Sequence, residues 1–440
     1  MDGNVEFFSS SLTTRQTNNF LFLQGVASSF FSDLGQALLD RGHRVRCINF
    51  NGGDKLFWRL DAVDYGLDLK RWPEFLERRL REWSISDIVL FGDCRPLHAA
   101  AIKVGRRLGL RLHIFEEGYL RPNWLTIESE GVNGHSSLPR QIEAFLATAG
   151  PDESPIPVAS DMKKRSFEDV CYTAAMMAMR WRFPFYQHYR PFHPLVEYMS
   201  GARRIAYRKW SARRQATEIA RLVGGKIRYF LWPLQIEVDS QISVHSQFKT
   251  VKEAIELVLT SFAGFAPPEL ELVVTEHPLE TSPFNWRRYM LEAAARAGLG
   301  ARVSYLVNGT PDKIIEHSQG VVVINSTIGQ RGLVLGRPVI ALSGAVFNMP
   351  GLTFQHGLDR FWREAQPADR DIVRNYRRGL IARCQINGGL YSAPGIALAV
   401  KNAVARMEAC RQGAPPALNF ATPRPSSKPV GQAIEAAVEL

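Results

Sequence analysis

The 440-residue sequence predicts an α/β protein of two open, largely parallel sheets, each covered by helices, with a helical connector between them. Three observations predict it. Short apolar runs alternate with helical periodicity in both halves, the middle of the chain lacks strand periodicity, and polar strings recur where the apolar runs stop. In open α/β sheets such strand ends are where ligands bind.

In the first half, residues 20–24 form an apolar run followed by Gly25 and a helical pattern through Leu39, which Gly42 stops. Residues 44–50 read as the next strand, ending in Asn51-Gly52-Gly53-Asp54. Residues 87–91 and 110–115 are two more strands, flanking a helix over 99–108. The strand ends carry Gln24, Asn49, Asp93, Glu116 and Glu117. Residues 160–222 are helical, basic and aromatic, and Pro184, Pro191 and Pro194 divide them. From Lys226 the alternation resumes. Strands are predicted at 227–232, 272–275, 302–306, 321–324 and 338–342, with helices over 250–262, 286–295, 311–317 and 328–335. A helix over 372–384 is expected to cross back to the first domain. The predicted organisation is a first Rossmann-like domain at 18–160, the connector at 161–225, a second Rossmann-like domain at 226–385, and a disordered Pro-, Ala- and Ser-rich tail at 412–440.

Hydrophobic content of 45% and charged content of 22% are those of a soluble globular protein. The five cysteines lie far apart, as expected for reduced thiols in a cytosolic compartment. No signal peptide is expected from the first residues, and the apolar stretch at 20–31 is too short to span a bilayer. The net charge of +11 is concentrated: residues 161–230 hold 15 Lys and Arg against 5 Asp and Glu. With Trp181, Phe183, Phe185, Tyr186, Tyr189 and Trp210 interleaved, this block suits an anionic surface, whether nucleic acid or lipid headgroups. The plainer alternative is a solvated helical linker.

Two strings in the second half carry the chemistry. His277 follows a strand end and precedes Pro278, which fixes the turn. Asn325-Ser326-Thr327-Ile328-Gly329 follows a strand and opens a helix, whose free N–H groups and positive end suit a phosphate; the same residue types also cap helices. Together they make a seat for a nucleotide. Gly25, Gly52 and Gly53 permit close backbone approach, but not at dinucleotide-fingerprint spacing. Asp369-Arg370-Asp371 has the D-x-D form of metal-dependent transferases, yet its place at a helix start is better explained by capping, and no metal is expected in the chemistry. Cys94, beside Asp93, has no sequence neighbour that would make it a nucleophile.

The ordered strings Phe22-Leu-Gln-Gly25, Asn49-Phe-Asn-Gly-Gly-Asp54, Phe115-Glu-Glu-Gly-Tyr-Leu-Arg-Pro122, Gly131-Val-Asn-Gly134, Glu276-His-Pro278, Asn325-Ser-Thr327 and Gly351-Leu-Thr353 carry a specific resemblance. The chain resembles the capsule polysaccharide biosynthesis proteins of Gram-negative bacteria, and within them the KpsS-like (LipA-like) β-Kdo transferases. The resemblance implies a GT-B-like arrangement with the active site between the domains. It implies retaining transfer of Kdo, an acidic eight-carbon sugar, from CMP-β-Kdo to a phosphatidylglycerol-type lipid, starting the poly-Kdo linker that anchors the capsule. It also implies a peripheral place on the inner face of the cytoplasmic membrane, other capsule biosynthesis and export proteins as partners, no nucleic acid, and no cofactor beyond the donor.

It implies residue roles as well. His277 contacts the donor phosphate and, protonated, stabilises the leaving CMP. Gln235, Glu276, Asn325, Ser326, Thr327 and Gly329 complete the donor site, with Glu276 accepting from ribose hydroxyls or the cytosine amino group. Gln235-Ile-Glu-Val-Asp-Ser240 resembles the Gln-Val-Glu-Asp-Asp-Ser pattern of related transferases. Retention calls for a carboxylate nucleophile, so Asp239 is expected in that role, with Glu237 as runner-up and Val238 departing from the pattern. Glu117 or Glu116 is expected as general base. Arg121 is expected to bind the Kdo carboxylate or an acceptor phosphate, unless it and Glu117 form one structural salt bridge. Gln24, Gly25 and Asn49 complete the acceptor side. The rival expectations are a transferase using another nucleotide sugar and a non-catalytic component of the capsule export complex.

Overall fold

Two sheets organise the chain, and in each the first strand of that half lies in the interior. A computed structural model describes residues 17–147, 154–159, 161–188, 192–236, 242, 244–307 and 309–409. The strands are β1 (Asn19–Phe22), β2 (Arg44–Asn49), β3 (Ala62–Asp64), β4 (Asp87–Phe91), β5 (Arg111–Glu117), β6 (Trp124–Glu128), β7 (Tyr229–Pro233), β8 (Glu271–Thr275), β9 (Val303–Leu306), β10 (Gly320–Val323), β11 (Val339–Ala341) and β12 (Gln385–Asn387). The first sheet runs β12-β6-β5-β4-β1-β2-β3 and the second β11-β10-β7-β8-β9. All pairings in the second sheet are parallel. In the first, β6 pairs antiparallel with both β5 and β12. Strand order reverses beside β1 and again beside β7, so each sheet has a switch point where a crevice opens at the carboxyl ends. This is the two-Rossmann, GT-B-like arrangement.

The apolar runs form strands because both faces are covered. β4 and β7 are buried at every position, as parallel strands between helical layers must be. Along β7 the side chains alternate: Phe230 and Trp232 pack with the helix Val251–Phe265, whereas Tyr229 and Leu231 join the opposite core. That second core continues across the domain boundary, since Tyr119 and Trp124 of the first half belong to the same apolar cluster as Phe347 and Met349 of the second.

Beyond the second sheet the chain returns. Asp369 accepts from the N–H groups of Asp371 and Ile372 at 2.8 and 3.1 Å, capping the helix Arg370–Cys384 as the D-x-D reading anticipates. β12 then closes the edge of the first sheet, and the helix Ala393–Ala409 packs Ile396, Ala399 and Ala403 against Phe30 and Leu34. This return extends past residue 385, where the sequence reading ended the second domain.

The connector is docked. Its helix Met162–Ala178 presses on Gly52 and Gly53: a Cβ at those positions would lie 2.1 Å from the Ala175 carbonyl oxygen and 2.6 Å from the Tyr172 ring. Helix packing thus accounts for the glycine pair. The helix Pro194–Val223 buries a polar face, with Glu197, Ser200, Ser211 and Gln215 at helical spacing. Arg204 and Arg208 lie on that face and reach the loop after β8.

Candidate functional site

The carboxyl edges of the two sheets face each other. Arg140 donates to the Ala345 carbonyl at 2.6 Å across the boundary, and Tyr119 and Asn133 of the first domain line a narrow space with Asn325, Thr327 and Gln330 of the second. At the second sheet's switch point, Gln235 after β7 and Asn325 after β10 bond reciprocally. The Gln235 amide donates to Asn325 Oδ1 at 2.7 Å, and the Asn325 backbone N–H donates to Gln235 Oε1 at 3.1 Å. Both expected donor residues are buried there.

His277 leaves the same edge from β8, two strands from Asn325 and so about 10 Å away between strand axes. Its Nδ1 accepts from the Leu279 N–H at 3.1 Å, which places the neutral ring's proton on Nε2. Burial pushes its pKa down to about 4; Arg121, Arg165 and Arg208 push the same way, and Glu117 opposes them. The imidazole is therefore a neutral N–H donor near pH 7. In the free protein, then, burial first and the surrounding arginines second keep the ring neutral, where the resemblance led to the expectation of a protonated one at the leaving CMP.

Glu276 is also corrected. Its carboxylate is buried and engaged, taking Arg204 at 2.7 Å and the Tyr305 hydroxyl at 2.9 Å, with Arg208 at 3.6 Å. Arg208 further donates to the carbonyls of His277 and Pro278 at 3.1 and 2.6 Å. Glu276 thus anchors the connector helix beneath the His277 turn, with both carboxylate oxygens engaged inside the protein.

Ser326 Oγ accepts from the Ile328 N–H at 3.3 Å, and the Thr327 hydroxyl makes no capping bond. Both side chains are partly exposed at the edge. Gly329 is glycine for packing, since a Cβ would lie 2.6 Å from Phe347. Gln330 was missed in the sequence. It is buried against this space, and neither its amide oxygen nor its amide nitrogen finds a partner among the described residues. Only a buried glutamine one turn into an otherwise apolar helix face would have signalled it. Asp239 and Glu237 lie outside the described residues.

On the first domain, Glu117 bridges Arg121 at 3.0 Å and Arg165 of the connector at 3.1 Å. Arg121, then Arg165, hold its carboxyl below the usual range against the pull of burial. A carboxylate so stabilised is a weak base, so the general-base expectation for Glu117 gives way to the salt-bridge one. Arg165 is the second residue the sequence reading missed. Glu116 is half-buried at the same strand end and accepts from the Glu117 N–H at 2.9 Å.

The remaining acceptor-side residues are structural. The Gln24 amide nitrogen contacts Asp54 at 3.2 Å, Tyr172 at 2.9 Å and Tyr186 at 3.0 Å, tying the connector to the first sheet. Asn49 donates to Asp64 at 3.0 Å in the same layer. A Cβ on Gly25 would lie 2.9 Å from the Phe31 ring. Gln24 and Asn49 are buried, so these three are corrected from ligand contacts to packing and hydrogen-bond positions.

The basic block is corrected in part. Arg165, Arg182, Arg204, Arg208 and Arg221 all enter ion pairs within the protein, with Glu117, Asp64, Glu276, Glu276 and Glu271 respectively. The charge excess therefore partly serves docking.

Comparison with known proteins identifies the family. Residues 86–391 match the family model described as capsule polysaccharide biosynthesis protein. The chain is 32% identical over 378 residues to the capsule polysaccharide export protein KpsS of Escherichia coli, covering 84% of this chain and 96% of that protein. It is also 32% identical over 389 residues to the capsule polysaccharide modification protein LipB of Neisseria meningitidis, covering 85% and 92%. Among solved structures it is similar to the β-Kdo 2,7 transferase KpsC of Thermosulfurimonas dismutans, at 14% identity and a TM-score of 0.44 over 89% of this chain and 100% of that one.

Proposed function

Because the chain belongs to the capsule polysaccharide biosynthesis protein family, we propose that it is a retaining glycosyltransferase moving Kdo from CMP-β-Kdo to a phosphatidylglycerol-type lipid. The observation that carries the reading is convergence. The Gln235–Asn325 pair, the neutral donor His277 and the amide of Gln330, unpartnered among the described residues, all belong to the carboxyl edge of one sheet, opposite the cluster that Glu117 and Arg121 of the other domain form with Arg165 of the connector.

In this reading the CMP lies on the second domain. His277 Nε2–H and the Ser326 and Thr327 hydroxyls address its phosphate, and the Gln330 amide, with one donor and one acceptor face, suits the cytosine edge. Asp239, six residues beyond the end of β7 in the sequence, attacks the anomeric carbon as the phosphate leaves with the bonding electrons. The lipid hydroxyl then attacks the same carbon, releases Asp239 and loses its proton to Glu116. Two displacements return the original configuration. Arg121 and Arg165 supply positive charge for the Kdo carboxylate or lipid phosphate.

The outer face of the helix Pro194–Val223 supports a membrane-bound acceptor. Its polar side is turned inward, while Leu195, Met199, Ile205 and Trp210 stay exposed, Met199 and Trp210 at 74% and 78%. Such inversion fits an interface rather than water. No described helix is long and apolar enough to cross a membrane, so contact through this face is peripheral in the proposal, at the cytoplasmic leaflet.

The test is incubation with CMP-Kdo generated in situ and a fluorescent phosphatidylglycerol, read by mass spectrometry. Addition of one Kdo mass supports the proposal. Transfer only from a different nucleotide sugar replaces the donor, and nucleotide binding without any transfer indicates a non-catalytic export component.

A further inference from the structure

Four side chains from three separate segments converge between the domains: Asp93 and Cys94 at the end of β4, His135 in the turn Asn133–His135, and His245 in the loop before the helix Val251–Phe265. One ligand atom from each lies within 4.8 Å of all the others. Cys94 Sγ is 3.0 Å from His245 Nε2 and 3.1 Å from Asp93 Oδ1; His135 Nδ1 is 3.1 Å from Asp93 Oδ2; His245 Nε2 is 3.8 Å from Asp93 Oδ1. The two imidazoles stand edge to face, centroids 4.6 Å apart. Tetrahedral zinc bonds of about 2.0–2.3 Å set neighbouring ligand atoms roughly 3.2–3.7 Å apart; these four contacts bracket that range, and the remaining pairs, within 4.8 Å, close by small side-chain shifts on binding.

We infer that Asp93, Cys94, His135 and His245 form a four-coordinate site for a zinc-type transition-metal ion that clips the two domains together. One thiolate, two imidazoles and one carboxylate select such an ion over calcium or magnesium, which take oxygen ligands. The thiolate and carboxylate together balance a divalent charge in a largely buried position, and the thiol proton leaves to solvent on binding.

The surroundings are built for it. The Val132 N–H donates to Asp93 Oδ2 at 2.9 Å, orienting that carboxylate from outside the cluster. Glycine at 134 leaves room for the incoming ring, since a Cβ there would lie 2.6 Å from His245 Nδ1. Three ligands come from the first domain and one from the second. The His245 carbonyl also accepts from the Asn325 amide at 3.4 Å, so the clip reaches the donor edge directly. Its role is structural, and the expectation of no metal in the chemistry is a separate matter. The ligands sit at 93, 94, 135 and 245, a spacing no local motif announces.

The test uses the full-length protein purified without chelator. Elemental analysis is expected to find about one zinc per chain, and cobalt exchange to give a thiolate-to-metal charge-transfer band. Cys94→Ser and His245→Ala are expected to lose the band while keeping the circular dichroism of the wild type, and chelator to lower the wild-type melting temperature but not theirs. Should either variant fail to fold, thiol labelling of the wild type decides: zinc is expected to protect Cys94 from the reagent and chelator to expose it. A folded wild type that takes up neither zinc nor cobalt, or a His245→Ala protein binding metal as well as the wild type, overturns the site. The four residues are then a hydrogen-bonded cluster.

Discussion

Gln235 and Asn325 complete each other's hydrogen bonds across the switch point of the second sheet, at 2.7 and 3.1 Å. Removing the Asn325 side chain takes the acceptor from the buried Gln235 amide N–H, and a buried donor left without its acceptor costs about 1–3 kcal/mol. Asn325→Ala is therefore expected to lower stability by that amount and CMP affinity at least tenfold. Replacing both residues by leucine is expected to recover much of the stability and none of the binding. Thermal unfolding and nucleotide titration of the three variants check this, and full CMP affinity in the double variant would contradict it.

His277 has a pKa near 4, against about 6.5 for an unfolded histidine. The folded state thus prefers the neutral ring, and the associated stability is present above pH 6.5 and lost as pH falls towards 4. In NMR the His277 ring is expected to titrate near pH 4 in the free protein and higher with CMP, whose phosphate offsets the nearby arginines. As a neutral donor it is partly replaceable, so His277→Gln is expected to retain roughly tenfold more activity than His277→Ala, one lost hydrogen bond's worth. A free-protein titration near 6.5 would refute this.

Asp87 opens β4 at the edge remote from the site. It is buried and takes both Arg111 contacts at 2.7 Å, His113 at 2.8 Å and Ser86 at 2.6 Å. His113, then Arg111, hold its carboxyl far below the usual range despite burial. A depressed carboxylate pKa gives stability that is full above about pH 4 and lost as pH falls below it. Asp87→Asn is expected to cost about 2–3 kcal/mol at pH 7, at the low end for a buried pair because Arg111 is 42% exposed, and progressively less in acid. Urea unfolding from pH 3 to 7 measures it; a pH-independent difference would contradict it.

Trp210 and Met199 stand out from a helix whose inward face is polar. Met199→Ala with Trp210→Ala is expected to weaken binding to phosphatidylglycerol vesicles by about tenfold or more, given roughly 25 cal/mol per Å² of apolar area withdrawn from water. Co-sedimentation at two salt concentrations checks this, and unchanged binding would place the membrane face elsewhere.

Parallel strands that are dense apolar runs are legible, and residues 87–91 are read with the bounds that β4 has, whereas the three-residue parallel β3 carries too little apolar signal to be read. β6 and β12 are not legible either, since antiparallel edge pairing depends on a partner more than 250 residues away in sequence. The helix Ala393–Ala409 is alanine-rich with a weak apolar stripe, and only its seat on Phe30 and Leu34 reveals it. His277, Gln235 and Asn325 do lie at the carboxyl edge of the second sheet, where their positions after apolar runs place them. Strand-end position failed for Gln24, Asn49 and Glu276, whose polar groups meet internal partners brought by the connector: Tyr172 and Tyr186 at Gln24, Arg204 at Glu276. Asn49 is taken up locally by Asp64. Nothing in a linear pattern tells a ligand-facing polar group from one facing a docked helix.

The most direct measurement is calorimetric titration of the full-length protein with CMP and with UMP, repeated on His277→Ala and Asn325→Ala. Saturable CMP binding, tighter than UMP and weakened at least tenfold by each substitution, is the result expected of a cytidylate seat on the second sheet. A folded protein that ignores CMP, or binds it equally well without either side chain, would contradict that seat.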